Sequence, residues 1–331
     1  MTLAPAQRRE TGAVAAPAAA APRRRRWQRH RPRTFYIFIS PWLVGLMLLT
    51  VFPLGYALWL SITNYDGVAP KWSYVGLDNY RAAFTDPQTW ESMFRTFGFV
   101  LVLVPVTTAV GLFLAVLVNQ RVRGKAIFRA IFFLPVVVPV VAAGFTFRMM
   151  FDRDSGLVTA VIDVFGGHPI EWLADDKALL VMLLMIVWRV GNSMVISLAG
   201  LQGVPRELHE AAAIDGASTW RTFSRITIPL LSPVLFFQVV IGVIDHLQIY
   251  LPALLLASAG QANLSTSPGD GLYVYMVHVY AEAFSNGNLG YASALLFVLA
   301  MVTVIATLVI FRASRRMVYY ESGPGGPGED Q

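Results

Sequence analysis

Long apolar stretches without charge are the feature that most constrains how this chain can fold. No charged residue lies between Arg33 and Asp66, and similar apolar runs recur along the rest of the sequence. One helical crossing of a bilayer needs roughly 20 consecutive apolar residues, so these runs predict membrane-spanning helices. Composition agrees, because 56% of the 331 residues are hydrophobic and only 14% are charged. We therefore expect an all-α integral membrane protein rather than a soluble domain.

Six apolar runs predict six transmembrane helices, at residues 34–62, 97–118, 130–147, 178–201, 226–256 and 291–311. The first and the fifth run exceed one straight crossing, so they tilt, emerge at one end or bend. Prolines mark the places where these two runs can bend, and they are Pro41, Pro53, Pro229, Pro233 and Pro252.

The predicted domain organisation is a membrane domain over residues 34–319, with its core at 94–312 and a polar loop at 203–228. Residues 1–33 are rich in Ala, Pro and Arg without apolar periodicity, which indicates a disordered basic tail. Arg23 to Arg26 form a run that favours contact with anionic lipid over nucleic acid. Residues 320–331 form a flexible Gly- and Pro-containing tail.

The distribution of Lys and Arg predicts the orientation of the six helices. Most of the 26 basic residues fall in segments that share one side if the N-terminus is cytoplasmic. Short loops rich in Lys and Arg stay in the cytoplasm. Both termini and the 203–228 loop are therefore expected on the cytoplasmic side.

The 203–228 loop has the pattern of two short helices joined by a tight turn. Pro205 is suited to a helix start, and Leu208, Ala211 and Ala212 then share one helical face. Asp215-Gly216 is a stop signal, because Gly adopts the left-handed conformation that ends helices.

A second short helix should follow this turn. Ser218 is placed to cap it, and the helix carries Trp220, Phe223 and Ile226.

This loop closely resembles the EAA loop of ATP-binding-cassette importer permeases, in which Glu-Ala-Ala is followed by Asp-Gly-Ala, a Phe and two prolines. The matching positions are Glu210, Ala211, Ala212, Asp215, Gly216, Ala217, Phe223, Ile226, Pro229 and Pro233. Ile228 stands where the family pattern has Leu. The resemblance implies a type I importer permease fold. It also implies that Glu210 to Phe223 couple the permease to an ATPase, with a charge-assisted contact from Glu210 to a basic residue of that ATPase.

Further segments resemble the carbohydrate-type permeases of maltose and glycerol-phosphate uptake systems. Trp188 and Gly191 precede the Leu-Ala-Gly-Leu-Gln sequence at 198–202, and Leu247-Gln248-Ile249-Tyr250 is similar to the family's fifth helix. The family's usual Gly-Gly-Pro is replaced at 258–263. The resemblance implies a midplane substrate path, for which the candidate residues are Asn192, Ser193, Asp245, Gln248 and Tyr250. For each, an interhelical hydrogen bond that only holds the bundle together is the competing interpretation.

The sequence also predicts what this chain does not do by itself. It has no Gly-x-x-x-x-Gly-Lys-Ser/Thr pattern, no Cys and only scattered His residues, so we expect no ATPase activity, no metal site and no catalytic residues. The chain itself is expected to need no cofactor, while ATP and Mg²⁺ bind to a partner. The resemblance implies two cytoplasmic ATPase subunits, a second homologous permease and an extracytoplasmic solute-binding protein, assembled in a bacterial inner membrane around this multi-pass chain. Nucleic acid is not an expected partner.

The function that the resemblance implies is import of a sugar, or of a sugar-like polyol or glycerol phosphate, by alternating access driven by separate ATPase subunits. Two other functions compete with it. One is an importer permease for a solute other than a sugar. The other is a secondary transporter, motivated by Arg189 and Asp245 within apolar runs, because intramembrane charges are costly and usually functional. Counting residues from the predicted membrane faces places these two side chains at different depths, so a direct Arg189–Asp245 ion pair is doubtful. A membrane scaffold without transport is a third interpretation.

Overall fold

The computed structural model describes residues 32–68, 72–120, 123–257 and 270–314. The predicted tail 320–331, nearly all of the predicted tail 1–33 and the departure from the family pattern at 258–263 lie outside these residues. Over the described ranges the chain is helical, and its one β pairing is an isolated bridge between Thr63 and Tyr74. The all-α class is therefore confirmed for this part of the chain.

Two compact units divide the chain after Pro53. The described part of the first unit contains helix α1, Pro32–Leu46, followed by a π-helical turn, Met47–Val51. The Phe52 N–H bonds to the Met47 carbonyl in this turn. Pro53 has no N–H to donate, so the regular hydrogen-bond ladder is interrupted where the sequence predicted a bend. Pro41 lies inside α1.

The second unit, from Leu54 onward, contains most of the helices. The chain enters it within α2, Phe52–Leu60. The next helices are α3 (Asp78–Thr85), α4 (Pro87–Asn119), α5 (Lys125–Val137), α6 (Val140–Met150), α7 (Leu157–Val164), α8 (Asp175–Trp188) and α9 (Gly191–Gly203). Then follow α10 (Arg206–Ile214), α11 (Thr219–Thr222), a π-helical turn (Phe223–Thr227), α12 (Ile228–Leu247), α13 (Leu251–Ala257), a 3₁₀ turn (Asp270–Leu272), α14 (Tyr275–Phe284) and α15 (Leu289–Ser314).

The apolar helices correspond closely to the predicted crossings. Four stretches among the described residues are long and apolar enough to span a membrane: Phe35–Leu60, Pro87–Asn119, Thr219–Leu247 and Leu289–Ser314. Two further runs are each broken into a bent pair, α5 with α6 at 93° and Lys177–Trp188 with α9 at 46°. The described residues thus hold four candidate spans, or up to six if each bent pair is one span.

Helix α4 begins ten residues before the apolar run at 97–118 that predicted it. Asp86 caps its N-terminus, accepting hydrogen bonds from the backbone N–H groups of Gln88 (3.0 Å) and Thr89 (3.2 Å). Pro87 occupies the first turn, where its missing N–H costs nothing. The apolar criterion missed this start because the first turns of α4 are polar.

A buried polar network joins the start of α4 to α14. The Thr89 hydroxyl donates to Asp86 (2.8 Å), so it accepts from Nε2 of His278 at 3.1 Å, and Nδ1 of His278 accepts from the Tyr273 hydroxyl at 2.9 Å. Burial lowers the pKa of His278, and the carboxylates of Glu282 and Asp86 only partly oppose this, so the ring stays neutral. Burial raises the pKa of the Tyr273 hydroxyl to about 12, which keeps it a donor.

The pKa of Asp86 responds to two opposing effects. Burial raises it, but hydrogen bonds from Thr89 and Gln88 outweigh burial and bring the pKa of this carboxyl below its usual value. The network therefore holds an ionised cap beside a neutral His278.

Close contact between α4 and α9 forms the most extensive helix pairing in the unit. Gly111 of α4 faces Ser193 of α9, and a Cβ added at Gly111 would lie 2.9 Å from the Ser193 backbone carbon. At the start of α9, a Cβ added at Gly191 would lie 2.7 Å from the Phe132 carbonyl oxygen of α5. Small residues at such crossings let membrane helices approach closely.

Replacing Gly111 with Ala should destabilise the protein, because the new methyl group must push α9 away from α4. We expect a lower melting temperature for Gly111→Ala in detergent, measured by tryptophan fluorescence. The control is Gly98→Ala on the same helix, where nothing lies within 4 Å of the added carbon. That variant should be neutral or stabilised by up to about 1 kcal/mol, because Ala favours helix over Gly. Equal melting temperatures for the two variants would contradict this packing.

Candidate functional site

The turn between α10 and α11 is built by backbone hydrogen bonds that suit only a left-handed residue. The Gly216 N–H bonds to the Ala213 carbonyl (3.1 Å), and the Ala217 N–H bonds to the Ala212 carbonyl (2.9 Å). These two bonds form a Schellman motif, which requires a positive φ at the residue after the C-cap. Gly216 has φ +71°. The sequence prediction of a helix stop at Asp215-Gly216 is therefore confirmed.

Helix α11 begins where the sequence predicted it. The Ser218 side chain accepts a hydrogen bond from the Arg221 backbone N–H at 3.3 Å, which is the expected N-cap. Phe223 falls in the π-helical turn rather than in α11, and its ring lies 6.0 Å from that of Trp220. The π-helical turn leads into α12, so the α10–α11 segment is continuous with an apolar span.

The α10–α11 segment exposes large apolar side chains that the surface of a soluble protein would usually bury. Ile214 is 87% exposed and Trp220 is 74% exposed. Within the face predicted from Leu208, Ala211 and Ala212, only Ala212 is buried in this chain. A second protein covering the segment would remove this apolar surface from water.

The remaining loop residues predicted from the sequence are distributed around this turn. Ala217 and Phe223 line a small cavity of about 290 Å³ between α10 and α11. Asp215 is the exposed C-cap of α10. Glu210 and Ala211 are exposed, and Glu210 borders a polar cleft shared with the start of α5.

A separate cavity of about 450 Å³ lies among α4, α5, α8, α9, α12 and the start of α13. Three of the five predicted substrate-path residues, Asn192, Ser193 and Asp245, line it. Gln248 and Tyr250 do not. Gln248 bonds to the Ile244 carbonyl (3.2 Å), and the Tyr250 ring stacks 6.4 Å from that of Tyr280.

Gln238 is the cavity residue that the sequence analysis missed. It is buried on α12, its amide nitrogen donates to the Ser197 hydroxyl at 2.9 Å, and its oxygen accepts from the Ser193 hydroxyl. The signal was an amide side chain inside the apolar run 226–256, which also contains Gln248. An amide in an apolar span needs polar partners, and α9 supplies both.

Arg189 lines the same cavity, but its guanidinium is occupied by backbone. It donates to the carbonyls of Pro135 (3.2 Å), Val136 (3.4 Å) and Val138, at the break between α5 and α6. Pro139 lacks the N–H that would have bonded to the Pro135 carbonyl in a continuous helix. Arg189 therefore stabilises the end of a broken helix, and it forms no ion pair with Asp245.

Broken spans around a cavity that carries a few polar side chains, with an exposed helix–turn–helix continuous with one span, are the features of a membrane permease. The chain belongs to the family of binding-protein-dependent transport system inner membrane components, which matches residues 107–319. The matched region contains both the cavity and the α10–α11 turn. This family and the apolar helices support a multi-pass protein of the bacterial inner membrane.

Relatives along nearly the whole chain are transport permeases. The probable ABC transporter permease protein YesP of Bacillus subtilis (strain 168) is 38% identical over 292 residues, which cover 87% of this chain and 92% of that protein. The trehalose/maltose transport system permease protein MalF of Thermococcus litoralis is 30% identical, covering 85% and 93%. The sn-glycerol-3-phosphate permease UgpA of Pectobacterium atrosepticum is 28% identical, covering 86% and 95%.

A solved structure has the same fold. It is a chain of a bacterial ABC transporter that imports the acidic polysaccharide alginate, with a TM-score of 0.75 at 18% identity, covering 87% of this chain and 97% of that chain. A second structure of an alginate transporter, in complex with an alginate pentasaccharide-bound periplasmic protein, gives 0.76. This likeness shows the fold.

Gly216→Val should disrupt the turn between α10 and α11, because a β-branched residue is strained at φ +71°. Hydrogen exchange at the amides of residues 216 and 217 should accelerate, since the left-handed conformation costs roughly 1–2 kcal/mol for an L-residue. Gly216→Asn should retain protection, because Asn tolerates this conformation. Gly203→Val, at a glycine without positive φ and with open space around it, controls for added bulk. Unchanged exchange in Gly216→Val would refute the conformational requirement.

Proposed function

We propose that this chain is the transmembrane permease subunit of an ATP-binding-cassette importer that carries a sugar into the cell. It makes six crossings with both termini and the α10–α11 segment in the cytoplasm. The observation that carries the proposal is the exposed helix–turn–helix at Glu210 to Phe223, continuous through the π-helical turn with a helix that lines the cavity. This continuity supports a mechanism in which movement of the α10–α11 segment moves the wall of the cavity.

Partners and energy supply belong to the same proposal. Two ATPase subunits bind ATP and Mg²⁺ in the cytoplasm, and one of them contacts Glu210, Ala211, Ala212 and the turn around Gly216. This chain contributes no catalytic residue and no bound cofactor. A second, homologous permease completes the path, and an extracytoplasmic solute-binding protein delivers the sugar. The match to a transporter in complex with a periplasmic binding protein supports this last partner.

Alternating access follows from how the loop joins the bundle. ATP binding brings the ATPase subunits together, and each carries the loop of one permease with it. Because α12 continues from the loop and α9 is hydrogen-bonded to α12 through Gln238, both helices move together and the cavity opens outward. Hydrolysis releases the subunits and restores the inward-open state.

The cavity chemistry supports a neutral sugar over an anionic one. Asn192, Ser193 and Gln238 supply amide and hydroxyl groups, which suit sugar hydroxyls. The Arg189 guanidinium keeps its charge, but its hydrogen bonds to backbone carbonyls hold it at the α5–α6 break, and the Asp245 carboxylate balances it in the same cavity. The Asp245 carboxylate would repel an anionic sugar. Relatives named for trehalose/maltose and arabinooligosaccharides support a neutral sugar, whereas relatives named for sn-glycerol-3-phosphate favour an anionic one.

A secondary transporter is the competing function, and the bent spans with charged residues in apolar runs favour it. That hypothesis needs an ion or proton site within the membrane. The hydrogen bonds of Arg189 to backbone carbonyls weaken it, because they give that side chain a structural role at the helix break. An importer permease for a solute other than a sugar is the nearer alternative.

Glu210→Lys should abolish ATP-driven sugar uptake in proteoliposomes containing the full transporter, because the reversed charge repels a basic residue of the ATPase. Insertion and helix content should stay unchanged by circular dichroism. Glu207→Lys, on the first turn of α10 and outside the Glu-Ala-Ala sequence, is the matched control and should keep most activity. Uptake that survives Glu210→Lys, or that collapses only with an uncoupler, would favour the secondary transporter.

Asp245→Asn should relax discrimination against anionic sugars. We expect wild-type proteoliposomes to take up a neutral disaccharide and to exclude uronates and glycerol 3-phosphate. The variant should keep neutral uptake within a few-fold and admit the anions better, because one repulsive charge is gone. Radiolabelled uptake across this panel measures the effect. Equal wild-type uptake of uronate and neutral sugar would refute a neutral-sugar cavity.

A further inference from the structure

A second polar cleft, of about 570 Å³, lies where α10 leaves the bundle. One wall is formed by the last residue of α4 and the first turns of α5. The other is formed by α10, after the end of α9. Besides Gln202 of α9, its polar lining comprises Asn119, Lys125, Arg129, Arg206, His209 and Glu210. Glu210 joins this cleft to the α10–α11 segment, but the other polar residues of the lining have no part in the proposed coupling.

The cleft carries an excess of positive charge that the described residues do not neutralise. Lys125, Arg129 and Arg206 are three cations against the single carboxylate of Glu210. The Lys125 ammonium donates only to the Asn119 backbone carbonyl, at 3.3 Å. No ion pair forms between Glu210 and any of these cations within the described residues. Two guanidinium groups and an ammonium that border one cleft are the groups that bind phosphate oxygens.

The position of the cleft along the helices fits the membrane boundary. Asn119 ends the apolar span Pro87–Asn119, and Lys125 begins the bent pair that follows. Cations at the cytoplasmic ends of spans lie at the depth of lipid headgroups.

Apolar groups adjoin the cations of the cleft. Leu201 and Val204 line it, and Phe128, the residue before Arg129 on α5, is 46% exposed. These groups would contact the start of an acyl chain whose headgroup occupies the cleft, and a soluble phosphate would leave them unused. Together with the position at the membrane boundary, this favours a lipid.

We propose that this cleft binds the phosphate headgroup of an anionic phospholipid from the cytoplasmic leaflet. The proposal rests on the cytoplasmic orientation of the α10–α11 segment given under the proposed function. Because one wall is α10 and the other is the α4–α5 junction, a bound headgroup bridges the coupling helix to the ends of two spans. Anionic lipid therefore holds α10 against the bundle and strengthens the coupling of the ATPase to the cavity.

The test uses the full transporter reconstituted in nanodiscs of phosphatidylcholine with and without phosphatidylglycerol. Native mass spectrometry counts the lipids retained after release from the disc. The wild type should retain phosphatidylglycerol in preference to phosphatidylcholine. Lys125→Ala combined with Arg129→Ala should lower this retention about tenfold or more, because two charge-assisted contacts are lost. Arg123→Ala, in the same loop but outside the cleft lining, is the matched control and should retain the lipid.

The sugar-stimulated ATPase rate is a second measurement on the same variants. Phosphatidylglycerol should raise the sugar-stimulated ATPase rate of the wild type and of Arg123→Ala, and should leave the double variant unchanged. This difference separates lipid binding from a general loss of folding, since the basal ATPase rate of the double variant should match the wild type.

Three results would overturn the lipid site. Equal retention of phosphatidylglycerol by the double variant and the wild type removes the cleft as its location. Displacement of the lipid by inorganic phosphate at matched concentration indicates a site for soluble phosphate. Loss of the ATPase subunits with the lipid retained indicates a surface for protein docking. None of these depends on sugar uptake, so a transporter that retains lipid without importing sugar contradicts the proposed function alone.

Discussion

The hydrogen bonds from Arg189 to the end of α5 are the interaction on which the rest of the structure depends. A break in a membrane helix exposes carbonyl groups where no water is available to satisfy them, at a cost of several kcal/mol each. Here α5 and α6 meet at 93°, and Arg189 donates to carbonyls at that break. Arg189 is itself the C-cap of α8, at the second break. One residue thus stabilises both discontinuities, and the cavity lies between them.

The α10–α11 segment and the cavity are connected by α9 and α12, two helices that are hydrogen-bonded to each other. Helix α9 begins beside the cavity with Asn192 and Ser193 and ends just before α10, while α12 follows the π-helical turn and carries Gln238. The serine–amide hydrogen bonds hold the two helices together in register. Farther along, an added Cβ at Gly200 would lie 2.7 Å from the Leu231 side chain, so the backbones also pack closely. A displacement of α10 is therefore transmitted to the cavity wall with little loss, because packed helices resist deformation.

Helix α10 presents different chemistry to different neighbours. Its apolar Ile214 is exposed, Ala212 is buried, and Arg206, His209 and Glu210 border the basic cleft. Three such surfaces on a helix of nine residues would place the proposed ATPase, the bundle and the proposed lipid within a short distance of one another. The proposed lipid would bind to the surface of α10 that the ATPase does not contact. Lipid binding and ATPase contact would therefore both affect the orientation of this short helix.

The sequence by itself determined the all-α class, the apolar runs and the helix–turn–helix. These features rest on local chemistry: uncharged length for the spans, a glycine with positive φ at 216 and a capping hydroxyl at Ser218. It also found Asn192, Ser193 and Asp245 as cavity residues. Only the tertiary structure decided that Gln248 and Tyr250 lie outside the cavity, that Gln238 belongs to it and that Arg189 bonds to backbone. These outcomes depend on bends of 93° and 46° and on which helix faces meet, and neither is encoded by periodicity within a single run.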